Sequence, residues 1–147
     1  MMNSEDRAAF LAEFDVSRET SERLDAVILT LDAWRQRSNL IGPQEWPQIW
    51  TRHVADSFQI LPFSPETTHC VDLGSGAGFP GLVTSAARPE GHVTMMESVG
   101  KKCAFLRAAI EAARLNASVY QGRIEDAPPS RADIVTARAF APLSKLL

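Results

Sequence analysis

The sequence has only two cysteines in 147 residues, Cys70 and Cys103. Two lone thiols make neither a disulfide framework nor a zinc-ligand spacing, so no metal is expected. No apolar run approaches the roughly 20 residues that a membrane span requires, so no membrane partner is expected. The polar start, Met1 to Asp6, lacks the apolar core of a secretion signal. Basic charge is not in excess either: 15 Lys and Arg face 18 Asp and Glu, for a formal charge of −3. That excludes a protein that coats a polyanion wholesale, but not an enzyme that meets nucleic acid through a local basic patch. There is no internal repeat and no low-complexity tract. These absences lead to a cytoplasmic globular protein. The hydrophobic share of 45% and charged share of 22% agree, and the length suits one domain with a real core.

Residues 4–14 read as a short helix, with Ser4 as candidate N-cap and Phe10, Leu11 and Phe14 on one side. A longer helix is expected from Glu19 to Arg37, preceded by Ser17 or Thr20, because Leu24, Val27, Ile28, Leu31 and Trp34 recur at three- and four-residue steps. Asn39 and Gly42-Pro43 end it. Pro47 is placed to open a third helix, Gln48 to Leu61, carrying Ile49, Trp50, Val54, Phe58 and Leu61. Pro62 and Pro65 then mark a linker.

From Thr68 onward strands and helices alternate. Cys70–Leu73, Val93–Met96, Ser118–Tyr120 and Ile134–Thr136 read as strands, Phe79–Arg88 and Lys101–Leu115 as helices. Repeated βαβ units predict a parallel sheet covered on both faces. The chain thus divides into a helical extension, residues 1–66, and an α/β core, residues 67–147, together one structural domain. Four strands are few for a doubly wound sheet, and the last is expected to be an exposed edge. The chain reads as a fragment, or as a short member of its class.

The most informative stretch runs from Val71 to Gly81, where an apolar run enters a loop with glycines at positions 74, 76 and 78. Gly76-Ala77-Gly78-Phe79-Pro80-Gly81 matches the dinucleotide fingerprint literally, and Glu97 lies 21 residues beyond Gly76. A nicotinamide-dependent oxidoreductase is therefore one reading. Asp72 argues against it. A carboxylate at the mouth of the loop repels a pyrophosphate, but attracts the sulfonium and ammonium of S-adenosylmethionine. Asp72, Gly74, Gly76, Gly78 and Glu97 are accordingly expected to form a methyltransferase pocket, with Glu97 accepting ribose hydroxyls. Gly81 reads as helix packing.

Several segments in order and spacing then resemble one family. They are Trp34 with Ser38-Asn39-Leu40, Arg52-His53-Val54-Ala55-Asp56-Ser57, the Val71–Gly81 loop, Glu97-Ser98-Val99-Gly100-Lys101-Lys102 with Phe105-Leu106-Arg107, Gly122-Arg123-Ile124-Glu125, and Ala137–Leu143. The sequence resembles the bacterial small-subunit ribosomal RNA guanine-N7 methyltransferases, the glucose-inhibited division protein B family. The resemblance implies a Rossmann-like class I S-adenosylmethionine-dependent methyltransferase fold with an N-terminal helical extension. It implies methylation of a guanine N7 in the decoding-region loop of 16S rRNA. By the same resemblance Gly74, Phe79, Ile124, Glu125 and Arg138 belong to the cofactor pocket.

Guanine N7 carries a free lone pair, so no general base is needed; the task is to hold it in line with the methyl group. Arginine suits guanine O6 and phosphate. Arg123 and Arg138, each after a strand, are the candidates, Arg138 also as cofactor contact and Arg123 as substrate contact. His53, with Arg52 before it and Asp56 beyond it, is a third catalytic candidate, against the plainer reading of a structural histidine. Asn39, Arg52, Lys101 and Lys102 are candidate RNA contacts, and Arg35, Arg37 and Arg107 plausible phosphate contacts. Trp34, Trp46 and Trp50 read as core. The Asp/Asn-Pro-Pro-Tyr/Phe segment of amino methyltransferases is absent. The partner expected is 16S rRNA, in the small subunit or its assembly intermediate, with the protein as a monomer. A binding module without turnover is the alternative.

Overall fold

The computed structural model describes residues 3–65, 68–128 and 131–138. Helix α1, Ser4–Glu13, is preceded by Asn3 in the left-handed region at φ 62°, with no side-chain cap. Ser4 therefore lies inside the helix and does not cap it. Phe10 is fully buried, its ring 5.1 Å from Phe14, 5.2 Å from Phe58 and 5.6 Å from Trp50. Helix α2, Arg18–Trp34, is capped as the sequence indicates: Ser17 Oγ accepts the Thr20 N–H at 3.1 Å. Its stripe of Leu24, Val27, Ile28 and Leu31 is buried.

The expected third helix is wound three ways. Trp46–Gln48 is a 3₁₀ turn, Ile49–Val54 is π-helical, helix α3 is Ala55–Phe58, and Leu61–Phe63 is again 3₁₀. The start of the π segment is capped from outside, where first-turn amides have no partner within the helix. The Asp6 carboxylate of α1 takes the Trp50 N–H at 2.7 Å and the Thr51 N–H at 3.3 Å. The longer i→i+5 turn also brings Ile49, Trp50 and Val54 toward one face, and all three are buried.

The α/β part comprises β1 His69–Leu73, α4 Gly81–Ala87, β2 His92–Glu97, α5 Gly100–Ala113, β3 Ala117–Gln121 and β4 Ile134–Ala137. All strand pairs are parallel, in the order β3-β2-β1-β4. The strands and helices foreseen from the sequence are present with ends moved by a residue or two, as with α4, which starts after Phe79-Pro80 and not within it.

Among the described residues the two crossover helices lie on one face of the sheet, while Val71 and Met96, pointing to the other face, are buried as well. The chain steps from β1 to β2 to β3 in one direction, so right-handed crossovers put α4 and α5 on the same face. Helix α2 packs against both there. The return from β3 to β4 carries, among the described residues, only the 3₁₀ turn Ile124–Asp126. On β4, the outer strand among the described residues, Val135 is 59% exposed. The helical arm and the sheet share one apolar cluster, in which Phe10, Leu24 and Leu31 join Leu82, Met95 and Phe105.

Gly81 begins α4 where that helix presses hardest on the sheet. A Cβ there would lie 2.7 Å from Asp72 Oδ2 and 2.9 Å from Met95 Cγ. Gly81→Ala is expected to destabilise the fold by about 1–3 kcal/mol through overpacking, measured by urea unfolding; a variant of unchanged stability would show that the helix can shift freely.

Candidate functional site

The loops at the C-terminal ends of the strands converge, as ligand-binding loops do where a parallel sheet reverses its strand order. After β1 the chain turns through Gly74 at φ 65°, Gly76 at φ 53° and Gly78 at φ 89°. Side chains rarely adopt this left-handed backbone. Gly74 and Ser75 donate their N–H groups to Met96 O at 2.8 and 3.2 Å, which ties the loop to β2. At Gly76 a Cβ would meet only Gly74 O, at an ordinary 3.9 Å, whereas at Gly78 it would collide with Leu82. Thus Gly76 serves the open side of the loop and Gly78 the packing of α4.

Asp72 does not stand at the loop mouth, as its position before Gly74 had indicated. It lies beneath the loop, 1% exposed. Ser75 Oγ donates to its Oδ2 at 2.7 Å and Thr136 Oγ1 to its Oδ1 at 2.7 Å. Burial raises its carboxyl above the ordinary carboxylate range, while hydrogen bonds from Ser75, Thr136 and the Gly81 backbone, with the Arg138 charge, pull it down. Glu97, buried at the end of β2, clasps the loop from the other side. Its Oε1 accepts the Gly76 N–H at 2.8 Å and its Oε2 the Val99 N–H at 2.9 Å.

A cavity of about 330 Å³ opens above this clasp. Gly74, Gly76, Glu97, Ile124 and Glu125, all expected at a cofactor pocket, line it together with Lys102 and Arg123. Arg123 forms an ion pair with Glu125 at 2.8 Å on its rim. Phe79, Gly78, Asp72 and Arg138 do not line this cavity. Phe79 is buried in the core, with its ring 5.3 Å from that of His53.

Arg138 lines a second cavity of about 430 Å³, beside β4, with Asp56, Ser57, Ile60, Pro80, Val135, Thr136 and Ala137. Its Nη1 lies 3.1 Å from His53 Nδ1, and His53 Nε2 lies 3.1 Å from Glu45 Oε1. Burial and the neighbouring Arg138 charge hold His53 below the ordinary histidine range, against the upward pull of Glu45 and Asp56. The Gly42 backbone N–H, above other causes, holds Glu45 below its ordinary value. Of the two arginines read as catalytic candidates, Arg123 lines the cavity with Glu97 and Glu125, and Arg138, read also as a cofactor contact, lines the cavity beside β4.

Other candidates stand apart from both cavities. Asn39, Arg52 and Lys101 are exposed and line neither. Arg35 and Arg37, foreseen as phosphate contacts, stack instead on Trp46 at 4.3 Å and Trp34 at 4.5 Å, and Arg35 also pairs with Asp32 at 2.9 Å. Arg107 meets Gln121 at 3.2 Å. Trp46 and Trp50 are core, as their spacing indicated. Sequence reasoning missed Ser75, Thr136 and Glu45, whose roles come from partners distant in sequence or from a loop geometry without a pattern. The Ala137–Leu143 segment lies outside the described residues beyond Arg138, and no cluster of metal-ligating side chains exists among those described.

Comparison with known proteins follows the same lines. Residues 20–147 match the family of rRNA small subunit methyltransferase G. A ribosomal RNA small subunit methyltransferase G from Hyphomonas neptunium is 72% identical over the whole chain, which spans 71% of that protein. One from a Bradyrhizobium species is 46% identical over 97% of the chain, 67% of its own length. Among solved structures, an O-methyltransferase from Bacillus cereus in complex with SAH aligns with 94% of this chain and 63% of its own, at 17% identity and a TM-score of 0.54. Coclaurine N-methyltransferase aligns over 92% and 49% of the two chains, at 10% identity and a TM-score of 0.58. These likenesses establish a Rossmann-like class I methyltransferase fold.

Asp72→Ala would leave the Ser75 and Thr136 hydroxyls without their buried acceptor. The expected loss is about 1–3 kcal/mol in chemical denaturation; unchanged stability would show the carboxylate to be dispensable to the loop.

Proposed function

The chain belongs to the rRNA small subunit methyltransferase G family, and from that premise we propose that it transfers a methyl group from S-adenosylmethionine to N7 of a guanine in the decoding-region loop of 16S rRNA. The observation that carries the reading is the clasp of Gly76 by Glu97 at 2.8 Å, at the floor of the 330 Å³ cavity. The residues fit the cofactor. Each Glu97 oxygen spends one acceptor site on a backbone N–H and retains another, which suits two ribose hydroxyls. Gly76 leaves the space above it free of side chain. Lys102 and Arg123 balance Glu97 and Glu125 in the lining, so the choice of S-adenosylmethionine rests on the family and on Glu97 rather than on net charge.

When bound, S-adenosylmethionine supplies an electrophilic methyl group on a sulfonium. The chain's own residues have the simpler task of orientation, because the N7 lone pair is unprotonated at neutral pH and no side chain must first take a proton. The cavity beside β4 is the place for the purine. There Arg138 offers its planar fork to guanine O6 or phosphate. Arg123, bound to Glu125 on the cofactor side, is the less suitable of the two. Lys102 on that rim is the remaining cation for the RNA backbone. The same reading has the helical arm and the α/β part acting as one domain, a monomer in the cytoplasm, on the small subunit or its assembly intermediate.

Two experiments test this. S-adenosylmethionine at a hundredfold excess over its Kd is expected to stabilise the protein by about 2.7 kcal/mol, read as a thermal shift. Glu97→Ala should weaken binding at least tenfold by calorimetry. Stabilisation by NAD alone would reverse the cofactor assignment. For the reaction, labelled cofactor and small subunits lacking N7 methylation are mixed with this chain, and in parallel with a chain of the length of its relatives. Label on guanine N7 from either is the expected result; label on another atom or none from both would sink the substrate assignment.

A further inference from the structure

The Arg138 guanidinium carries only N–H donors, so the ring nitrogen it meets must accept. His53 Nδ1, 3.1 Å from Arg138 Nη1, is therefore unprotonated, and the imidazole proton resides on Nε2. That N–H donates to Glu45 Oε1 at 3.1 Å, and Glu45 Oε2 accepts the Gly42 N–H at 3.1 Å. Each contact fixes the sense of the next, from backbone amide to carboxylate to imidazole to guanidinium. The line begins in the turn after α2 and ends at the cavity beside β4. Phe79, packed against the imidazole, restricts the ring's tilt.

The geometry points to Glu45 as a positioning residue for methyl transfer: it sets the His53 tautomer and thereby aims Arg138 at the acceptor nucleotide. This rests on the reading that the cavity beside β4 receives the guanine. Glu45 and His53 need not touch the RNA; they act through Arg138. A protonated His53 would present Nδ1–H to the guanidinium, donor against donor, and the aim would be lost. The charged groups bearing on the ring are Glu45 from the turn after α2, Asp56 from α3 and Arg138 at the end of β4, with Arg52 acting on Glu45. Burial and Arg138 keep the ring neutral down to below the ordinary value of 6.5. The line is therefore intact at neutral pH and breaks as pH falls through that lowered value. Glu45 pulls the value up, so its removal moves the break to still lower pH.

The test compares wild type, Glu45→Ala and Arg138→Ala in the full chain, with unmethylated small subunits as substrate. Glu45→Ala should lower kcat by tenfold to about a hundredfold, the effect of a misplaced orienting group, with the KM for S-adenosylmethionine unchanged. Its acid limb in kcat/KM should lie below that of wild type. Nitrogen-15 spectra of the imidazoles, which require no turnover, should show His53 as the pure Nε2–H tautomer in wild type and as a mixture in Glu45→Ala. Wild-type kcat and an unmoved limb in Glu45→Ala, or a retained pure tautomer, would overturn the proposal while an impaired Arg138→Ala leaves the substrate cavity standing. An unimpaired Arg138→Ala would overturn the cavity assignment itself.

Discussion

A carboxylate with almost no access to water, Asp72, is the constraint on which the site depends. Burying a carboxylate is costly unless its oxygens are satisfied, and here three elements converge to do so. Ser75 comes from the glycine loop and Thr136 from β4, and the backbone of Gly81 at the start of α4 adds to the downward pull on the carboxyl. Asp72 and Thr136 are direct neighbours in the strand register, so the bond across β1 and β4 needs no special reach. The carboxylate thus acts as a fixed internal anchor for the loop, and the ligand meets the backbone that it shapes. Glu97 completes the arrangement from β2.

The loop so held contributes to two cavities, Gly74 and Gly76 to one and Pro80, just beyond it, to the other. The β2 and β3 ends, with Glu97 and Glu125, form one bank; the helical arm and the β4 end, with Asp56 and Arg138, form the other. The helical arm is accordingly more than an extension laid on the sheet. It supplies one wall of the cavity beside β4, through Asp56, Ser57 and Ile60, and shares the apolar cluster of the α/β part.

The features legible in the sequence are those whose cause is local. The stripe of α2, the Ser17 cap and the alternation of strand and helix follow from spacing alone, and each is present. The glycine loop was legible because positive φ at alternate positions demands glycine. Five of the expected cofactor residues, Gly74, Gly76, Glu97, Ile124 and Glu125, indeed line one cavity. What escaped has non-local causes. Asp72 was identified by type, but its burial depends on β4, 64 residues away. Arg123 and Arg138 both follow strands, and only the strand order tells which side of the loop each faces. Glu45 carries no pattern at all.

The π-helical winding of Ile49–Val54 has a further consequence. Because it holds one more residue per turn than an α-helix would, it sets the angular phase of everything that follows, His53, Asp56 and Ser57 included. Winding the same six residues as a regular α-helix, at unchanged length, would rotate the downstream face by about 100°, one residue's share of an α-turn. Every functional side chain would still be present, yet none would point where it does now. In this segment the pitch of the backbone aims the side chains as much as their identity does, and the extra residue per turn is part of that aim.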